Sequence, residues 1–101
     1  HCFSGSIEVA NIYIKLGFLL GIGGVITFKN SKLREVVEKL NLENIVLETD
    51  SPYLTPEPHR KYRNEPKYLL NTAEYVSKLK NISLEKLGEI TNKNICKVFD
   101  L

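Results

Sequence analysis

Residues 45–47 are Ile45, Val46 and Leu47, three apolar side chains in a row that run straight into Glu48, Thr49 and Asp50. A strand with one wet face alternates polar and apolar positions, because successive side chains point to opposite sides. A strand that does not alternate has to be covered on both sides, which is the condition of a parallel sheet packed between helices. The stretch FLLGIGGVITF, residues 18–28, is the second such run. It reads as a buried strand in which Gly21, Gly23 and Gly24 mark close backbone approach or a bulge.

Helical patterns lie on either side of both runs. Ser6 caps a first helix carrying Ile7, Ala10 and Ile14, with Gly17 just past its end. Ser31 caps a second, with Leu33, Val36, Val37 and Leu40 on one face. Asn64 as cap, Glu65 in the first turn and Pro66 at the first position open a third, which runs through Leu69, Leu70, Ala73, Val76 and Leu79. The last follows Ser83, with a stripe of Leu84, Leu87, Thr91, Ile95 and Val98. The order is α, β, α, β, long loop, α, α. Two parallel strands leave apolar faces and edges open, so the expected class is α/β, as part of a larger domain. The chain has 101 residues, starts with His and has no Met. It is therefore expected to be a segment, residues 1–101 of a partial domain.

A net charge of +2 is too small to imply a partner. Cys2 and Cys96 stand near opposite ends with no CxxC spacing, which fits reduced thiols in a cytoplasmic protein. No stretch is long and apolar enough for a membrane span, and no signal-peptide pattern opens the chain.

Chemistry in barrels and open α/β sheets collects at the carboxyl ends of strands. Asp50 sits there. It is either a turn-former before Pro52 or a metal ligand and general base held in a fixed direction. Glu48 shares its side of the strand and is expected to pair with a neighbouring helix, with support of Asp50 as the alternative. His1 would reach the same mouth if a strand ends at it, and nitrogen with oxygen ligands suits zinc, manganese or a similar divalent ion. The loop at 50–64 holds three of the four prolines and a basic group, His59, Arg60, Lys61 and Arg63, among Tyr53 and Tyr62. That group is either solvated and paired with Glu57 and Glu65, or a phosphate-holding surface on which bases could stack. Lys29 and the Ser4–Gly5–Ser6 amides are further candidates for the same anionic pocket.

HCFSGS, GGVITFKNS and LETDSPYLTPEPHRKYRNEP, in this order and at this spacing, resemble the successive signatures of the TatD family of metal-dependent deoxyribonucleases and hydrolases. The resemblance covers nearly the whole chain. It implies the C-terminal part of a TIM-type (β/α) barrel of the amidohydrolase-like metal-dependent hydrolases. It implies His1 and Asp50 as metal ligands, with Asp50 also assisting deprotonation of the attacking water. His59, Arg60 and Arg63 would meet the substrate. The implied cofactors are divalent ions, Zn, Mn or Mg, two per intact active site; the implied partner is DNA, with RNA as the other candidate. The family's H-x-H, bridging Glu and earlier His do not occur in these residues, so they cannot complete that centre and the isolated chain is expected to be inactive. An amide or ester hydrolase of the same superfamily, and an inactive partial product or a self-pairing domain, are the rival readings.

Overall fold

The computed structural model describes residues 1–100. Helix α1 spans Ile7–Lys15, strand β1 Leu20–Ile22, helix α2 Leu33–Lys39, strand β2 Ile45–Leu47, helix α3 Leu69–Leu79 and helix α4 Leu84–Phe99. Single 3-10 turns stand at Gly24–Thr27, Leu42–Asn44 and Pro66–Tyr68. β1 and β2 pair in parallel, Leu20 opposite Ile45 and Ile22 opposite Leu47. The sheet of α/β type read from the sequence is therefore present, and it has two strands among the described residues. Its core joins Leu20, Ile22 and Ile45 to Val37 of α2, Val76 of α3 and Leu87 of α4.

Ser6, Ser83 and Gly17 act where they were expected, and Ser31 is displaced by one residue. Ser6 Oγ accepts from Val9 N–H and Ser83 Oγ from Lys86 N–H, each satisfying one of a helix's orphan donors. Gly17 follows α1 at φ 89°, a conformation that costs a residue with a Cβ and glycine little. Ser31 Oγ accepts from Leu33 N–H at 3.1 Å, one residue ahead of the cap position of α2.

Four expectations change. The run at 18–28 yields only three strand residues before the chain coils at Gly24–Thr27. The reason is the 50–64 loop above it: a Cβ on Gly24 would stand 2.6 Å from the Leu54 carbonyl oxygen and 3.1 Å from Pro56. Thr27 Oγ1 donates to the Gly24 carbonyl at 2.7 Å and accepts from Glu57 N–H at 2.9 Å, which clamps turn to loop. Asn64 does not cap α3; it is buried, and its amide donates to the Tyr53 carbonyl at 2.7 Å. Of the α4 stripe only Leu87 and Thr91 are buried, while Leu84 and Val98 are exposed. The two-sided cover expected of β2 is complete at Ile45 and partial at Val46 and Leu47. Beside Leu47 a groove of about 390 Å³ opens between α3 and α4, lined by apolar side chains such as Leu69, Leu84 and Ile95. A two-strand sheet leaves that surface open.

Gly24→Ala is expected to cost about 1–3 kcal/mol, because the new methyl meets a backbone oxygen and a proline ring that cannot swing aside. For a domain of this size that lowers Tm by several degrees, roughly 4–8 °C per kcal/mol. An unchanged Tm would show that the loop is not seated on the turn.

Candidate metal centre

The site begins with the chain before α1. Phe3 N–H donates to the Gly21 carbonyl at 2.9 Å, while on the other edge of β1 Glu48 N–H donates to the Ile22 carbonyl at 3.0 Å. Residues 1–3 and the end of β2 therefore flank β1 on opposite sides. The Glu48 side chain reaches back over Gly21 to Cys2 N–H and joins the two segments, and His1 Nε2 lies 3.8 Å from Asp50 Oδ1. The spacing is shorter than twice a usual metal–ligand bond of about 2.0–2.2 Å, so one ion can lie between the two atoms. Imidazole nitrogen and carboxylate oxygen are also a fitting donor pair for zinc or manganese. They are two donors only. Among the described residues no group of three or more His, Cys, Asp or Glu side chains is arranged to hold a metal.

The turn does not occupy the Asp50 carboxylate. Its closing bond runs from Tyr53 N–H to the backbone carbonyl of Asp50 at 2.7 Å, and no hydrogen bond to the side-chain oxygens occurs among the described residues. The side chain is about one-third exposed and faces His1.

Glu48 is not paired with a helix. Its Oε1 accepts from Cys2 N–H and its Oε2 stands 3.5 Å from His1 Nδ1. Sequence reasoning undervalued this residue; the available signal was the i, i+2 relation of Glu48 and Asp50, which puts both carboxylates on one side of the strand. Cys2 sits beside them at φ 49°. Burial first, and then the Glu48 and Asp50 carboxylates, push its thiol pKa up.

The loop holds itself in shape. Thr55 Oγ1 donates to the Tyr62 carbonyl at 2.7 Å, and Asn64 N–H to the Pro52 carbonyl at 3.1 Å. Arg60 is part of this scaffold: it donates to the Thr55 carbonyl at 3.0 Å and lies over the Phe28 ring at 4.0 Å. His59 stacks on Tyr68 with ring centroids 4.4 Å apart. Arg63 is exposed and lines a hollow with Ser51, Tyr62 and Glu65. Glu65 pairs with Lys67 at 3.5 Å, not with the basic group. Lys29 is exposed, and Ser6 is engaged in capping α1. No salt bridge joins His59, Arg60 or Arg63 to His1, Glu48 or Asp50 among the described residues.

The family model for TatD-related DNases matches residues 1–100. The chain belongs to the TatD family. A protein from Bacillus subtilis named as the uncharacterized metal-dependent hydrolase YabD is 44% identical over 100 residues, covering 98% of this chain and 39% of its own length. A candidate deoxyribonuclease of Xenopus laevis, tatdn3-B, is 48% identical over 99 residues, with 98% and 37% covered. The crystal structure of YJJV, a TatD homologue from Escherichia coli, superposes with a TM-score of 0.92 at 29% identity, over 100% of this chain and 39% of that one. The chain thus spans about two-fifths of the length of these TatD relatives. Its α/β fold is that of a segment of their TIM-type barrel.

Proposed function

We propose that this chain is the C-terminal portion of a TatD-type barrel and supplies one side of a metal-dependent hydrolase site that cleaves phosphodiester bonds in DNA. The observation that carries the reading is the meeting of His1 Nε2 and Asp50 Oδ1 at the carboxyl end of β2, with the Asp50 carboxylate free of the turn. His1 would ligate through its neutral Nε2. Asp50 would ligate through one oxygen and take the proton of the attacking water on the other. Divalent ions (Zn, Mn or Mg, two in the intact site) would supply charge for the scissile phosphate and acidify the water. Arg63 is exposed, lines a hollow with Ser51, the neighbour of Asp50, and would suit bidentate contact to a phosphate. Arg60 has spent one N–H on the loop, and its remaining donors are available. His59, stacked on Tyr68, would meet the substrate with them. No described helix is long and apolar enough to cross a membrane, and a cytoplasmic location is part of the proposal.

The test is a substrate panel on a full-length protein that carries this segment, with and without EDTA. Single- and double-stranded DNA, RNA, and acyl amides and esters would be offered. Hydrolysis of DNA that stops with EDTA and returns with Mn²⁺ or Zn²⁺ is expected. Turnover of acyl substrates with none of DNA would replace this reading with a deacylase.

A further inference from the structure

We propose that Glu48 is the positioning residue for His1: it holds the imidazole in the tautomer whose Nε2 is bare and aimed at Asp50. This rests on the metal-site reading above. Glu48 faces two donors with its two oxygens, Cys2 N–H at Oε1 and the Nδ1 edge of His1, 3.5 Å away, at Oε2. A carboxylate faces each ring nitrogen, Glu48 at 3.5 Å from Nδ1 and Asp50 at 3.8 Å from Nε2. Glu48 is the nearer and the better buried of the two, so the proton is favoured on Nδ1 and the lone pair is left on Nε2. The seat for this carboxylate is built into the sheet. A Cβ on Gly21 would lie 2.5 Å from Glu48 Oε2 and 2.9 Å from its Cδ, so a side chain at 21 would push the Glu48 carboxylate out of its present place across β1. The side chain is one-fifth exposed, while that of His1 is three-quarters exposed. The ring is thus steered by a group much better fixed than itself.

Glutamine at 48 separates positioning from bulk. Its single oxygen can serve Cys2 N–H, but then its NH₂ faces His1 Nδ1 and requires that nitrogen to accept. The proton moves to Nε2, where it blocks ligation. The experiment is long-range ¹H–¹⁵N NMR of His1 and His59 in a ¹⁵N-histidine-labelled full-length protein carrying this segment, at pH 8, where unperturbed histidines are neutral. His1 is expected to carry its proton on Nδ1, and in Glu48→Gln on Nε2. His59, on its tyrosine stack, reports in the same spectrum that the variant is folded. Nε2-protonated His1 in the unaltered chain, which needs no variant to observe, overturns the proposal; so does a tautomer unchanged in a folded Glu48→Gln. Zinc chloride titration of the same samples is expected to perturb His1 and not His59, with affinity about 10–100-fold weaker in Glu48→Gln. If zinc binds at His1 but the tautomer is wrong, the role of Glu48 falls and the metal reading stands. If the tautomer is as expected and zinc leaves His1 untouched, the metal reading fails and takes the purpose of Glu48 with it.

Discussion

Asp50→Asn in a full-length protein carrying this segment is expected to lower kcat for metal-dependent hydrolysis by about 10²–10⁴-fold, the range for losing a positioned general base. The amide keeps shape and volume but removes the charge that holds a cation and the basicity that accepts the water's proton. Folding should be unaffected. The carboxylate accepts no turn hydrogen bond, and the turn is closed by the backbone carbonyl of Asp50, which the substitution leaves in place. Steady-state kinetics beside a thermal melt checks both halves. Wild-type turnover in Asp50→Asn would remove Asp50 from the mechanism; a large fall in Tm would return it to the turn-forming role.

The largest stability effect is expected at a residue with no part in the chemistry. Asn94 is 1% exposed, and its amide nitrogen donates to the Leu42 carbonyl at 2.8 Å and the Ile45 carbonyl at 2.7 Å. These two bonds fasten α4 to the entry of β2. Asn94→Asp turns a double donor into a carboxylate facing two carbonyl oxygens, and an uncompensated buried charge costs about 3–5 kcal/mol. The loss should depend on pH. Burial against oxygens raises the folded-state pKa of the new carboxyl above its unfolded value, so the folded state holds the proton more tightly. The variant should be least stable near neutrality and recover as pH falls through that raised pKa, since a protonated carboxyl can donate once. Denaturant melts across pH 4–8 would show the slope. A flat profile equal to that of the unaltered chain would mean that α4 is held to β2 by other contacts.

What could be read in the sequence was what neighbouring residues decide. The spacing of Leu33, Val36 and Val37 and the caps at Ser6 and Ser83 depend on positions three or four apart, and these elements stand where they were placed. The unalternating Ile45–Leu47 run gave the parallel strand, and the position of Asp50 at its end gave the candidate ligand. The rest depends on pairs far apart in the chain. Asn94 meets Ile45 across 49 positions, and Glu48 meets Cys2 across 46. A lone Asn on a helix, or a Glu ending a strand, carries no local mark of such a partner. Asn64 misled because Asn before Glu-Pro is a good local cap signal, whereas the buried Asn64 amide is engaged by the Tyr53 carbonyl across the loop. Arg60 drew notice as a charge for phosphate, whereas part of its role is to pin the Thr55 carbonyl and cover Phe28.

The crossing of Glu48 over Gly21 has an evolutionary corollary. Positions 21 and 48 compete for one volume, so they are not free to drift independently. A lineage that gains a side chain at 21 must shorten or redirect residue 48, and His1 then loses its guide. Across a set of diverged sequences the two positions should change together or not at all, a linkage invisible to any comparison that scores them one column at a time.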